Sequence, residues 1–179
     1  MEHRLIINAD DFGLCESVNK GIVEAHTKGI LTSTTLMTNM PAAEQAVDLA
    51  KNLHTLGVGV HLNLTAGKPL CQDNTVKLIL DSQGHFALSP GKLALASLIT
   101  GKVRTAIETE LASQIQWLID KGIKPTHLDS HKHIHSFTTI FPIVCRLAKR
   151  FGVSAIRYTF EPNKVQISIG SRPKSLPSG

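Results

Sequence analysis

Short apolar runs alternate with amphipathic stretches along most of the chain. The run Leu5-Ile6-Ile7 predicts a buried strand over 4–8, stopped by a polar turn at 9–13 in which Gly13 is free to take an unusual backbone angle. From Glu16 onward, Val18, Ile22, Val23 and Ala25 recur at helical spacing, and Gly29 sits where a helix would end. The β-branched stretch 31–37 reads as a second strand. Pro41 can open a helix over 42–53 with Ala46, Val47, Leu49 and Ala50 inward, and 57–64 reads as a third strand. Strand, helix, strand, helix, strand at this spacing is the pattern of parallel βαβ units. Residues 65–90 carry Gly, Pro, Asp and Asn with little periodicity, and a loop of that length in a compact domain is often functional. Helices are predicted over 92–100 and 104–121, the second with a stripe of Ile107, Leu111, Ile115, Leu118 and Ile119. A fourth strand over 126–129, a helix over 138–151 and a fifth strand over 154–157 complete the series. The alternation therefore defines one α/β domain over 1–158. Residues 159–179, rich in Pro, Ser, Lys and Gly, are expected to form a poorly ordered tail.

Composition narrows the class. The 179 residues are 42% apolar, enough for one well-buried core. The net charge of +5 comes from scattered Lys and Arg, with one Trp and one Tyr to stack on bases, so no nucleic-acid partner is expected. Three widely spaced cysteines argue against a disulfide framework and fit a reducing compartment. No apolar run approaches the roughly 18 residues of a membrane span, and the N-terminal run is too short for a secretory signal. These features read as a cytoplasmic protein that does not engage a membrane.

The candidate chemistry gathers at predicted strand ends. Residues 124–135 hold four of the nine histidines, His127, His131, His133 and His135, together with Asp129. If that segment runs extended, His127, Asp129 and His131 share a face. Asp10 and Asp11 follow the first strand and His61 lies in the third. In parallel α/β folds ligands bind at the carboxyl ends of the strands, so three distant segments deliver Asp, His and His to one sheet edge. A carboxylate and two imidazoles with a position left open make a catalytic rather than a structural metal site. Such a metal would bring the pKa of a bound water to about 7. Adjacent Asp10 and Asp11 cannot point the same way in an extended chain; one would ligate the metal and the other would act as general base.

Blander readings compete at each position. A paired Asp at a strand end is often a helix cap beside a solvated neighbour. A histidine among Val58, Val60 and Leu62 is often a satisfied core residue, and a His-rich run is often a solvated loop. Asn63 and Thr65 either line a substrate pocket or cap backbone groups.

The motifs NADDFG at 8–13, TSTT at 32–35, GVHLNLT at 59–65, GKP at 67–69, PTHLDSHKHIH at 125–135 and FPIV at 141–144 together resemble the YdjC-like family, whose best-known members are chito-oligosaccharide deacetylases. The resemblance runs from about residue 4 to about residue 157. It implies a distorted (β/α) barrel of parallel strands that hydrolyses the acetamide of an N-acetylated oligosaccharide. It also implies a divalent metal held by Asp11, His61 and His131, with Asp10 as base. Asn63, Thr65, His127 and Asp129 are then candidates to contact substrate. The family's metal is usually described as magnesium, whereas two imidazoles favour zinc or another transition metal. A homodimer is a further implication.

A full barrel takes roughly 250 residues. Beyond Arg157 the family's later strands are not matched, including the region where a further histidine is expected to protonate the leaving amine. The expectation is thus an incomplete barrel. Two rivals stand beside a deacetylase: another metal-dependent hydrolase such as a phosphoesterase, and an inactive metal-binding fragment.

Overall fold

Four parallel strands lie side by side in chain order: β1 (Asn8–Phe12), β2 (Ser33–Leu36), β3 (Gly57–Leu62) and β4 (Leu128–Ser130). Helices α1 (Glu16–Thr27), α2 (Ala43–Ala50), α3 (Pro90–Ile99) and α4 (Gly101–Asp120) run between them, and α5 (Phe141–Phe151) follows β4. The structure is a computed structural model that describes residues 5–159. All but the first residue of the expected 159–179 tail lies outside the described residues. A parallel bridge from Leu128 to Ile156 stands where a fifth strand is predicted. The fold is α/β, built on a parallel sheet.

The first strand differs most from expectation. It begins at Asn8, where the apolar run ends, and carries both aspartates within it. Leu5 and Ile6 are 79% and 75% exposed. Pairing to β2 matches Asn8 with Ser33 and Ala9 with Thr34, then jumps to Phe12 with Leu36. One extra residue on β1 makes a bulge, and within it Asp11 adopts a left-handed backbone with φ of 65°. A left-handed residue inside a strand breaks the alternation of side chains. Asp11 thus leaves the extended geometry in which neighbouring carboxylates diverge, and both carboxylates come within reach of His61.

The chain leaves β1 through Gly13, at φ 95°. A β-carbon there would lie 3.0 Å from the Met37 carbonyl oxygen, so only glycine fits. The Gly13 N–H donates to Oδ1 of buried Asn19 (2.7 Å), whose Nδ2 donates to the Ala42 carbonyl and to Gln45 Oε1. One amide thus locks the end of β1 to both α1 and the start of α2.

In β3 the period of two is plain. Val58, Val60 and Leu62 enter the hydrophobic core, while Gly57, Gly59 and His61 alternate with them. Gly59 is small because His127 crosses it; a β-carbon at 59 would lie 2.7 Å from the His127 ring and carbonyl oxygen. The helix α4 buries Val103, Ile107, Leu111, Ile115 and Leu118 at spacings of three and four, as its stripe predicts. Thr100 caps it by accepting the Lys102 N–H. In α5, Ile143, Val144, Leu147 and Ala148 face the core and Gly152 ends the helix in the left-handed conformation.

The segment expected as a long loop contains a 3-10 helix (Asn74–Ile79) and a bridge from Leu80 to Phe86. Buried Glu110 of α4 holds its start, accepting the Leu70 and Cys71 N–H groups at 3.1 and 2.8 Å and Gln114 Nε2 at 2.8 Å. Burial pushes the Glu110 carboxyl up from its ordinary value, against those three donors. Gln114 in turn bonds the backbone of Asn63, donating to its carbonyl and accepting its N–H.

Candidate metal centre

His61 of β3 is the hub. Its ring is 2% exposed and lies between two carboxylates: Nε2 is 3.2 Å from Asp11 Oδ1, and Nδ1 is 2.5 Å from Asp129 Oδ1. Thr35 of β2 completes the inner side, 3.0 Å from His61 Nδ1 and donating to Asp129 Oδ2 at 3.2 Å. On the outer side, Nδ1 of His131 is 2.9 Å from the same Asp11 Oδ1. Ligand atoms of Asp11, His61 and His131 all lie within 4.8 Å of one another.

Local backbone explains why His131 arrives there. It opens a 3-10 turn (His131–Ser136) directly after β4, and the next two residues, Lys132 and His133, are both left-handed at φ 56° and 52°. Two consecutive left-handed residues without glycine are costly, and such strain collects at functional sites. The turn divides the His-rich stretch. His131 goes to Asp11. His133 is exposed. His135 is buried, close to Ser130 Oγ through Nδ1 and donating from Nε2 to the Arg157 carbonyl at 3.0 Å. Burial holds the His135 pKa below its usual value, which fits a neutral structural role.

The electrostatics are those of a cation site. Burial lowers the pKa of His61, but the hydrogen bonds to Asp11 and Asp129 outweigh it and raise the value to about 9. At neutral pH the ring is therefore an imidazolium, donating to a carboxylate on each side. The hydrogen bond from His61 holds the Asp11 carboxyl below the usual range despite partial burial. For Asp129 burial pushes upward, and His61 and Arg157 pull it down overall. The proton on Nε2 sits where a metal would compete for the ring. One carboxylate oxygen and two imidazole nitrogens, with Asp11 and His131 partly exposed, fit a divalent cation with room for water or substrate. Asp129 beneath His61 Nδ1 is the carboxylate–histidine support that metal sites use to fix the ligating nitrogen.

The remaining candidates fall in different places. Asp10 lies beside the centre; Arg157 Nη1 donates to its two oxygens at 2.8 and 3.0 Å, and Asn8 Nδ2 to Oδ1 at 2.8 Å. Asp129, expected at the substrate, is wholly buried and spends its oxygens on His61, Thr35 and Arg157. Those contacts place it behind His61. Asn63 is buried and folds the following loop, accepting the Thr65 and Ala66 N–H groups and donating to Asn39 and the Ala66 carbonyl. Thr65 is half-buried at that loop. His127 lies two residues before Asp129, against Gly59, its Nδ1 2.8 Å from Thr126 Oγ1, and burial lowers its pKa. It borders a cavity of about 880 Å³ reaching Asn8, Ser33, Gly57 and Ile156. That cavity opens at the amino ends of the strands, opposite the edge where ligands bind in such folds.

Thr35 and Arg157 are missing from the set predicted from sequence. Thr35 stands in the TSTT motif as one of three threonines, with nothing to single it out. Arg157 had a usable signal, since it closes the predicted fifth strand and the strand-end argument applies to it as well.

A carbohydrate deacetylase of Brevibacillus brevis is 47% identical over 155 residues, covering 87% of this chain and 59% of the relative. A carbohydrate deacetylase of Halalkalibacterium halodurans is 43% identical, over 92% of this chain and 68% of the relative. A chitooligosaccharide deacetylase of Salmonella paratyphi B is 43% identical, over 86% and 59%. The chain thus spans about three-fifths of the length of most of these relatives. The crystal structure of a candidate cellobiose-phosphate cleavage protein from Enterococcus faecalis V583 superposes with a TM-score of 0.72 at 31% identity, over 84% of this chain and 57% of that one. The matched family model runs over residues 4–175, past Arg157 where the readable motifs stop, and the chain belongs to that family, the YdjC-like proteins.

Proposed function

We propose that this chain carries the metal centre of a carbohydrate deacetylase acting on an N-acetylated oligosaccharide. The observation that carries the reading is the meeting of Asp11, His61 and His131, from three distant segments, with Asp129 behind His61. The names of the relatives supply the substrate class. The strand order also supports an arc of a (β/α) barrel: neighbours follow chain order throughout, as in a barrel, with no reversal of the kind that marks a doubly wound sheet.

Asp11, His61 and His131 would hold the divalent ion, and two imidazoles favour zinc or another transition metal over magnesium. When bound, the ion supplies Lewis-acid polarisation of the acetamide and of water. The residues do the rest. Asp129 keeps Nδ1 of His61 occupied, leaving Nε2 for the ion. Asp10, partly exposed beside the centre, takes the proton of the water that attacks the acetamide carbon, a role worth roughly 10²–10⁴-fold. The C–N bond then breaks to give acetate and the free amine, which needs a proton on departure. The loop from Thr65 onward, pinned by Asn63 and Glu110, borders the side from which a sugar would approach.

The free Cys15, Cys71 and Cys145 fit a reducing cytoplasm. No helix among the described residues is long and apolar enough to cross a membrane.

Acetate release from N,N′-diacetylchitobiose, with zinc, manganese or magnesium added, tests the proposal. Metal-dependent release that disappears in His61→Ala supports it. Release unchanged in His61→Ala, or hydrolysis of phosphate esters in its place, overturns it.

A further inference from the structure

Past His61 the chain is held from behind by α4. Gln114, wholly buried, pairs with the main chain of Asn63 as a further strand would: its Nε2 donates to the Asn63 carbonyl at 2.7 Å and its Oε1 accepts the Asn63 N–H at 2.9 Å. The same Nε2 donates to Oε1 of Glu110, one helical turn earlier, at 2.8 Å. Glu110 in turn accepts the Leu70 N–H on Oε1 and the Cys71 N–H on Oε2. Between these attachments the Asn63 side chain holds Thr65 and Ala66, and Asn39 Nδ2 donates to the Ala66 and Lys68 carbonyls at 3.1 and 2.9 Å. Two side chains on consecutive turns of one helix thus grip both ends of the 63–71 segment.

Three N–H donors converge on the Glu110 carboxylate, which has no exposure, and none of its partners among the described residues is charged. An ionised carboxylate only accepts, so it can answer all three donors at once. Burying such a group without a cation costs free energy. What it contributes is geometry, because a fully satisfied buried network favours one arrangement. The segment it shapes leaves the carboxyl end of β3 directly after His61, on the edge where parallel α/β folds bind ligands. Neither Glu110 nor Gln114 hydrogen-bonds to Asp10, Asp11, His61 or His131.

We propose that Glu110 and Gln114 are positioning residues for the substrate: together they hold the 63–71 segment in the shape that receives the sugar, acting through its main chain and not through the metal centre. The inference rests on the deacetylase reading and goes further in naming what sets the form of the sugar-binding edge.

Steady-state acetate release from N,N′-diacetylchitobiose tests this. Glu110→Gln keeps the size of the side chain but turns an NH₂ group toward one of the three donors. It should raise KM about tenfold, the loss of one charge-assisted hydrogen bond, while kcat and Zn²⁺ affinity stay as in wild type. Gln114→Met should raise KM as well, and the double variant should do no more than the worse single one, since the two act in series. Circular dichroism melts establish that each variant is folded. Unchanged KM in folded Glu110→Gln, a loss confined to kcat, or additive effects in the double variant overturns the proposal. If the variants do not fold, hydrogen exchange on wild type decides. The fully deacetylated disaccharide, added at millimolar concentration, should slow exchange at the Thr65, Ala66, Leu70 and Cys71 amides, and unchanged exchange there overturns the proposal. Wild type that releases no acetate defeats the deacetylase reading, and the proposal falls with it; active wild type beside an unaltered Glu110→Gln defeats this inference alone.

Discussion

His61 and Asp129, on neighbouring strands, meet through Nδ1 and Oδ1 at 2.5 Å, on the side of the ring opposite Asp11. The pair are register partners in the β3–β4 ladder, so the sheet itself sets the contact. Removing the support should weaken the centre without removing a ligand. Asp129→Asn is expected to lower affinity for Zn²⁺ about 10–100-fold, measured by competition with a chromophoric chelator. Unchanged affinity would mean that Asp129 does not orient His61.

The raised pKa of His61 has a pH signature. An imidazole at about 9 in the folded chain and near 6.5 when unfolded gives stability that is full below about pH 6.5 and is lost as pH rises through 9. The difference corresponds to about 3 kcal/mol. Without metal, the melting temperature should therefore fall across that window. With metal it should not, because the ion displaces the Nε2 proton. Calorimetric titrations in buffers of different ionisation enthalpy should show about one proton released per metal bound near pH 7.5. A melting temperature that rises from pH 6.5 to 9 without metal would contradict the assignment.

Asp11 separates folding from binding. Its backbone is left-handed, a conformation that asparagine tolerates and most residues do not. Asp11→Asn should keep the fold yet lose most metal affinity. Asp11→Val should add roughly 1–2 kcal/mol of destabilisation from the backbone, read by urea denaturation. Equal stability of the two variants would show that the bulge relaxes.

Glu110 anchors the loop from a distance. Glu110→Ala leaves the half-buried Leu70 and Cys71 N–H groups without their acceptor, at a cost of about 1 kcal/mol for each. Hydrogen exchange should quicken at Leu70 and Cys71 first. Protection unchanged at both amides would remove the anchor.

Gly59→Ala probes the crossing of the strands. Its new methyl meets both the His127 ring and its carbonyl oxygen, and the carbonyl belongs to backbone that cannot swing away. A loss of about 1–3 kcal/mol is expected, against little loss for Gly91→Ala, where no atom lies within 4 Å of the new methyl and φ is not positive. Similar stability in Gly59→Ala and wild type would mean that the ladder shifts freely.

Hydrophobic patterning reads the face of this sheet that packs on helices well and the polar face poorly. Val58, Val60 and Leu62 mark β3 because they face helices, and the stripe on α4 marks itself for the same reason. The strand β1 escaped because its residues face polar company: Asn8 donates to Asp10 and Asp10 accepts from Arg157, while the apolar Leu5 and Ile6 before them stay exposed. Histidines at strand ends were legible as a group, since the parallel fold brings such ends together. Their separate jobs were not. Whether a buried Asp129 or Asn63 faces substrate or scaffold depends on partners up to 94 positions away, such as Thr35 to Asp129, and no local pattern encodes them. The two left-handed residues that send His131 and His135 in opposite directions carry no glycine, so composition gave no warning of the turn.

That turn makes a crankshaft. One end, His131, touches Asp11; the other, His135, grips the carbonyl of Arg157. A rotation of the turn that pulled the first imidazole off its carboxylate would tug on the strand that aims the guanidinium, so the two throws of the shaft move together or not at all.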